Sequence, residues 1–205
     1  MTLGRLYIVS APSGAGKTSL IKALLELVDD IEVSVSHTTR AMRVGEIDGQ
    51  HYHFVDTASF EKGINEGLFL EHADVFGNYY GTSRSTVLQR LSEGVDIILE
   101  IDWQGAQQIR QLMPDNCSIF ILPPSIKELE HRLTSRNQDS DEVIARRVAQ
   151  AKEDVQHFVE YDHVVVNDDF DAALQSLSSI FLCKRTERYN MQLRHQKLLT
   201  SLLEG

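Results

Sequence analysis

Ser10-Ala11-Pro12-Ser13-Gly14-Ala15-Gly16-Lys17-Thr18 follows an apolar run, Leu6-Tyr7-Ile8-Val9, and precedes an amphipathic run from Leu20 to Val28. The order is strand, glycine loop, helix, and such a loop works only as the hinge between those two elements. In that setting the backbone N–H groups of Gly14, Ala15, Gly16 and Lys17 turn inward around a phosphate. The N-terminus of the following helix adds its partial positive charge. Gly14 and Gly16 remove Cβ atoms where the backbone must approach the anion or take a positive φ. Lys17 reaches the β- and γ-phosphates, and the Thr18 hydroxyl is placed to ligate Mg²⁺. The string departs from G-x-x-x-x-G-K-[ST] at its first position, where Ala11 stands for Gly and must sit at ordinary backbone angles. The plainer alternative is a turn of small residues that happens to hold a lysine.

Working outward, the 205 residues suit one compact domain with a subdomain or two. An apolar content of 42% and a charged content of 24% are ordinary for a water-soluble chain. No apolar run approaches the ~20 residues that span a bilayer, and Met1 to Ser10 lacks the pattern of a signal peptide. A cytoplasmic protein with no membrane partner is expected. Cys117 and Cys183 lie far apart without C-x-x-C spacing, so two buried free thiols are expected rather than a disulfide or a zinc site. The net charge of −10 argues against nucleic acid as a partner. Any phosphate site is then a local basic cluster on an acidic body, which suits a small anion.

Along the chain, strands are expected at Ile31–Ser36, Tyr52–Val55, Leu68–Phe76, Val95–Asp102, Ser118–Leu122 and His163–Val166. Helices are expected from a cap at Asp56 or Thr57, over Ser83–Leu91, over Gly105–Met113, and after Ser125, whose spacing to Glu128 is that of a capping box. A further helix carries Ile144, Val148, Ala151, Val155 and Phe158 on one face, and another carries Phe170, Leu174, Leu177 and Phe181. Residues 185–205 read as a docked helix, an oligomer contact or a frayed tail. Alternating strands and helices imply an α/β fold with a parallel sheet wrapped by helices, whose ligand site lies beyond the carboxyl ends of the strands. The glycine loop, Asp102 and Asn167-Asp168 all fall at such ends.

Three constellations carry chemistry. Glu100 and Asp102 close an apolar strand, on one face by alternation, where a carboxylate orients Mg²⁺ or its water shell beside phosphates. Arg40 and Arg43, three residues apart in a polar loop, can converge on one phosphate through their guanidinium forks, with Tyr52 and Tyr80 as hydroxyl donors. Taken alone, an exposed arginine pair is more often a solvated surface. Arg132, Arg136, Arg146 and Arg147 flank a polar stretch, as lid arginines do that offset charge during phosphoryl transfer. His51 and His53 alternate on one strand, but no third ligand has metal-site spacing.

Ser-Ala-Pro-Ser-Gly-Ala-Gly-Lys-Thr, Ser36-His-Thr-Thr-Arg40, Gly77-Asn-Tyr-Tyr-Gly-Thr82, Asp102-Trp-Gln-Gly and Val166-Asn-Asp-Asp resemble the guanylate kinase family in order and spacing, over roughly residues 4 to 184. The resemblance implies a P-loop kinase core with ATP + GMP giving ADP + GDP in the presence of Mg²⁺, a step in purine nucleotide supply and recycling, with dGMP as a second candidate acceptor. It implies a core (1–36, 91–124, 159–184), a small GMP-binding subdomain (37–90), a lid (125–158) and a helical tail (185–205). By position, residues 11–18, that is Ala11, Pro12, Ser13, Gly14, Ala15, Gly16, Lys17 and Thr18, together with Asn167, hold ATP. Arg136 and Arg147 reach its phosphates, so that Lys17, Arg136 and Arg147 are the catalytic set. Arg40, Arg43, Tyr52 and Tyr80 hold the GMP phosphate, while Ser36, Glu71 and Thr82 read guanine, with Glu100 and Asp102 beside GMP and the metal. A carboxylate accepts from the guanine N1–H and 2-amino group, which adenine lacks, so an unpaired Glu71 penalises the wrong base. The chain departs from the family at Glu100, where Asp is usual.

Three rival readings stand beside this one. A binding module that grips a protein with the GMP surface is expected to lose ATP-site residues, yet Lys17 and Thr18 are present. A kinase for another phosphorylated metabolite shares Arg40 and Arg43 but not the guanine readers. A P-loop hydrolase has no need of a second phosphate cluster.

Overall fold

The structure is a computed structural model that describes residues 4–135 and 140–204. Five strands form a parallel sheet in the order β2-β7-β1-β8-β9: β1 (Leu6–Ser10), β2 (Ile31–Val33), β7 (Asp96–Glu100), β8 (Cys117–Leu122) and β9 (His163–Val166). β1 lies at the centre and is buried along its whole length because helices cover both faces. On one face Tyr7 and Val9 meet α1 (Lys17–Leu27) through Leu20, Ile21 and Leu24. There they also meet α7 (Phe170–Thr186) through Ala173, Leu177 and Phe181. Tyr7 stacks on Phe181 with ring centroids 3.9 Å apart. On the other face Leu6 and Ile8 meet Val87 and Leu91 of α3 (Arg84–Ser92) and Ala106 and Ile109 of α4 (Trp103–Leu112).

A second, four-stranded sheet has the order β4-β3-β6-β5, from β3 (His37–Thr38), β4 (His53–Phe54), β5 (Phe69–Val75) and β6 (Asn78–Ser83). β5 and β6 form a hairpin around the Phe76-Gly77 tip, and β3 is sewn to β6 by side chains. The Thr38 hydroxyl donates to Tyr79 O at 2.9 Å, and the Tyr79 N–H donates to the Thr39 hydroxyl at 2.9 Å. Asp56 caps α2 (Thr57–Asn65) by accepting from Ser59 N, and Phe60 of that helix stacks under Phe69 and Tyr79. α5 (Ile126–Ser135) and α6 (Asp141–Val155) carry a small core of their own, Leu129, Leu133, Ile144 and Ala151, with Val148 against it.

Several expectations need correction. The first extended segment stops at Val33, and β3 begins only at His37. β6 was not expected. The helix carrying Ile144 ends at Val155, and Phe158 lies exposed in a 3₁₀ turn, Gln156–Glu160, rather than on a buried face. Of the two thiols, Cys117 is buried and Cys183 is exposed. The tail forms α8 (Arg188–Arg194) and α9 (Gln196–Glu204), and α9 buries none of its residues. Among the described residues, no helix is long and apolar enough to cross a membrane.

Candidate active site

The glycine loop leaves the carboxyl end of β1 and enters α1 through Gly16, whose φ of 91° is the left-handed value expected of glycine. Ala11 keeps ordinary angles, since Asp30 and Phe76 are the only non-glycine residues with positive φ among those described. The loop is clamped from outside. The buried Asn167, at the end of β9, donates from Nδ2 to Ala15 O at 2.7 Å, and Arg132 of α5 donates to Asn167 O at 3.2 Å. A Cβ on Gly16 would lie 2.3 Å from Asn167 Nδ2, so glycine is required there by packing as well as by φ. The Ala15 N–H, expected to face the anion, donates instead to Pro12 O at 3.1 Å and closes the loop's own turn. Pro12 and Gly14 are buried beneath it, with Ser13 partly so.

Lys17 and Thr18 open α1 facing β7. The Thr18 hydroxyl donates to Glu100 Oε1 at 2.5 Å, and Lys17 Nζ lies 3.9 Å from the same oxygen. Asp102 does not share this role. β7 ends at Glu100, and Asp102 becomes the N-cap of α4, accepting from Gly105 N at 2.9 Å and from Gln104 Nε2 at 3.1 Å. The expected same-face pair of carboxylates is therefore split: Glu100 belongs to the glycine loop, Asp102 to the helix.

The second sheet builds the other half of the cleft. Arg40 lies over the rings of Tyr52 and Phe54, 5.4 and 5.7 Å from their centroids, and Tyr52 meets Tyr80 edge to face. Its guanidinium forks onto Glu46, Nη1 to Oε2 at 3.0 Å and Nη2 to Oε1 at 2.6 Å. Arg43 is exposed in the same loop. Deeper in, Glu71 of β5 is buried and accepts from the Thr82 hydroxyl of β6 at 2.5 Å. Burial pushes the Glu71 carboxyl up to about 7; the Thr82 bond opposes this, and the Asp102 charge adds to it. A Cβ on Gly105 would lie 2.5 Å from Glu71 Oε2, so that glycine admits the carboxylate to the foot of α4. Ser36 stands at the open end of β3, its carbonyl accepting from His53 N at 2.9 Å.

The two halves meet along α4, where Gly105 lies against Glu71 and Gln108 Nε2 donates to His72 O at 2.7 Å. Burial raises the Tyr52 hydroxyl to about 12, and the Glu100 carboxylate is the next largest cause.

Of the arginines flanking the polar stretch, Arg136 lies outside the described residues and Arg147 lies on α6. Arg146 sits over the Phe76 ring at 5.4 Å, and Arg132 rests against the glycine loop as above. Glu46 is not singled out from sequence; a carboxylate three residues beyond Arg43 and next to Gly45 is the available signal.

The guanylate kinase family model matches residues 3–183. The guanylate kinase of Pseudomonas fluorescens (strain Pf0-1) is 57% identical over 200 residues, 98% of this chain and 97% of its own. That of Escherichia coli (strain K12) is 57% identical over 205 residues, 99% of each chain. The crystal structure of guanylate kinase from Anaplasma phagocytophilum superposes with a TM-score of 0.79 at 35% identity, covering 95% of this chain and 94% of that one. A shikimate kinase from Bacteroides thetaiotaomicron, at 14% identity and a TM-score of 0.50 over 86% of this chain and 98% of its own, shares the fold alone. The chain belongs to the guanylate kinase family.

Proposed function

We propose that this cleft transfers the γ-phosphoryl group of ATP to GMP, releasing ADP and GDP. The observation that supports the reading most is the glycine loop at the carboxyl end of β1, with Lys17 and Thr18 against Glu100. In-line transfer asks for two held phosphates and little covalent chemistry. On the donor side residues 11–18 hold ATP, with Lys17 on its terminal phosphates and Asn167 and Arg132 keeping the loop in shape. Asn167 and the α6 arginine Arg147 are proposed to reach ATP itself.

On the acceptor side Arg40, Arg43, Tyr52 and Tyr80 hold the GMP phosphate, and Ser36, Glu71 and Thr82 read the base. Thr82 orients Glu71 so that its carboxylate accepts from the two guanine donors. Thr18 and Glu100, a hydroxyl and a carboxylate now bonded to each other, would be the residues that hold Mg²⁺, which takes such oxygen donors. Bound there, Mg²⁺ supplies charge neutralisation of the transferring phosphates. α5 and α6, with their own small core, serve as the lid, and residues 37–90 as the GMP-binding subdomain. The same acceptor contacts admit dGMP. We place the enzyme in the cytoplasm.

A coupled ADP-release assay with ATP-Mg²⁺ and GMP, AMP, CMP or UMP tests this. GMP is expected to be strongly preferred. Equal rates on GMP and AMP would remove Glu71 as the base reader.

A further inference from the structure

We infer that Glu46 is a positioning residue for phosphoryl acceptance, the single carboxylate that sets both arginines of the acceptor cradle. This rests on the GMP reading above and extends it to a residue outside the direct contacts.

The geometry is specific. Glu46 takes the end-on fork of Arg40, one bond from each Nη, and Ala41 O takes a further Nη1 bond at 2.7 Å. A guanidinium has five N–H donors in fixed directions. With both Nη1 hydrogens and one Nη2 hydrogen spent on these acceptors, the remaining Nε–H and Nη2–H form the side-on fork, and the Tyr80 hydroxyl, which also bonds this guanidinium, joins it in receiving a phosphate. The same guanidinium lies over the Tyr52 and Phe54 rings. Glu46 also reaches the other arginine through its backbone. Its Oε2 accepts from Arg43 N at 2.7 Å, while its own N–H donates to Arg43 O at 3.1 Å, a reciprocal pair that closes the turn from Arg43 to Glu46. Arg40 and Glu46 are only 14% and 17% exposed, so the pair is held rather than loosely solvated. The bond to Arg40 keeps the Glu46 carboxyl below its usual range, with the Arg43 backbone and both arginine charges contributing.

A carboxylate inside an anion site has two opposite consequences, and their signs differ. Its charge repels phosphate, so on charge alone its removal tightens GMP binding. Its bonds hold the Arg40 fork and the Arg43 backbone in a productive arrangement, so on orientation its removal weakens GMP binding. The double role of Glu46, with every bond directed at one arginine or the other, points to orientation.

The test compares Glu46→Gln, close to isosteric, with Glu46→Ala and with Arg40→Ala, each in the full chain. KM for GMP and for ATP are measured, along with binding of GMP and of guanosine by calorimetry. For both Glu46 variants, KM and Kd for GMP are expected to rise roughly ten- to hundredfold, the penalty of a misplaced binding group. Guanosine affinity and KM for ATP should stay within twofold of the parent, ~2 being the scatter of such measurements. Unchanged or tighter GMP binding in Glu46→Gln overturns the inference in favour of a repelling charge. Equal losses for GMP, guanosine and ATP overturn it in favour of a purely structural role. If Arg40→Ala also leaves GMP untouched, the cradle assignment itself fails, which separates that outcome from a failure of Glu46 alone.

Discussion

At the scale of single residues, Glu71 shows how one position serves specificity at a cost in stability. Its carboxyl is buried beside Asp102 and pushed up to about 7 from an ordinary 4.5. On the proposed reading, the carboxylate accepts from two guanine donors above that value; below it, one oxygen carries a proton and confronts donors with a donor. Guanosine affinity is therefore expected to fall as pH drops from about 8 to about 6, and to be nearly flat in Glu71→Gln. Guanosine is the right probe because the phosphate of GMP titrates near pH 6 itself. The stability of the empty protein runs the opposite way. Between 4.5 and about 7 the folded state binds more protons than the unfolded one, so this group's contribution declines as pH rises through that window. Thermal melts at pH 5 and pH 8 should show a smaller difference in Glu71→Gln than in the parent. A pH-independent guanosine affinity in the parent would mean that the carboxylate does not face the base. The glycines and Lys17-Thr18 made the strand–loop–helix legible from sequence, whereas the environment of Glu71 was not. Its burial depends on Gly105 and Asp102, which arrive from another element.

At the scale of elements, β5 explains why alternation alone misleads. A register shift lies between Phe69 and Glu71, and Leu70 and Glu71 are both buried where a regular strand would turn one of them outward. The irregularity lets Leu70 enter the core beside α3 and α4 while Glu71 turns to Thr82. β6 escaped notice because Asn78–Ser83 holds no aliphatic residue, and its pairing with β3 and β5 supplies what composition does not. The long apolar strands were legible because burial on both faces leaves a continuous signal. The tail was not, because α9 buries nothing. β7 divides its labour by its ends: Glu100, at the carboxyl end, faces the glycine loop, and Asp96, at the other, is structural. Asp96 is buried and accepts from Arg5 N at 2.8 Å and Arg185 Nε at 2.9 Å, and Arg185 also donates to Asp29 O at 2.6 Å. This ties the last turn of α7 to the edge of the sheet. Asp96→Ala leaves a guanidinium and an N–H without their acceptor and should cost about 3 kcal/mol. For a chain of this length that is a fall of roughly 6–12 °C in melting temperature. The KM values for both substrates should not move. A normal melt with a raised KM would place Asp96 in the wrong category.

At the scale of the whole molecule, the proposed lid meets the rest of the protein at several places, the Arg132 contact with the glycine loop among them. Near its return to the core, His157 in the 3₁₀ turn stacks on Trp103 with centroids 3.8 Å apart, which fixes it to the foot of α4. Across the cleft, Arg146 of α6 lies over Phe76 at the tip of the β5–β6 hairpin. Phe76 is 43% exposed and holds a φ of 55°, with Gly77 following and Asp74 accepting from Gly77 N at 2.7 Å. The hairpin thus presents an aromatic face where α6 meets it, so α6 and the second sheet touch directly rather than only through the core. A partly exposed cation–π contact is worth about 0.5–1 kcal/mol, which corresponds to roughly a two- to fivefold shift in a closing equilibrium. Arg146→Ala should therefore lower kcat/KM for both substrates by about that factor, with an unchanged melting temperature. Arg146→Lys, which keeps a cation over the ring, should recover most of the loss, and Phe76→Leu should reproduce it. A defect confined to ATP would reassign Arg146 to the donor phosphates. Wild-type kinetics in Arg146→Ala would show that closure proceeds without this bridge.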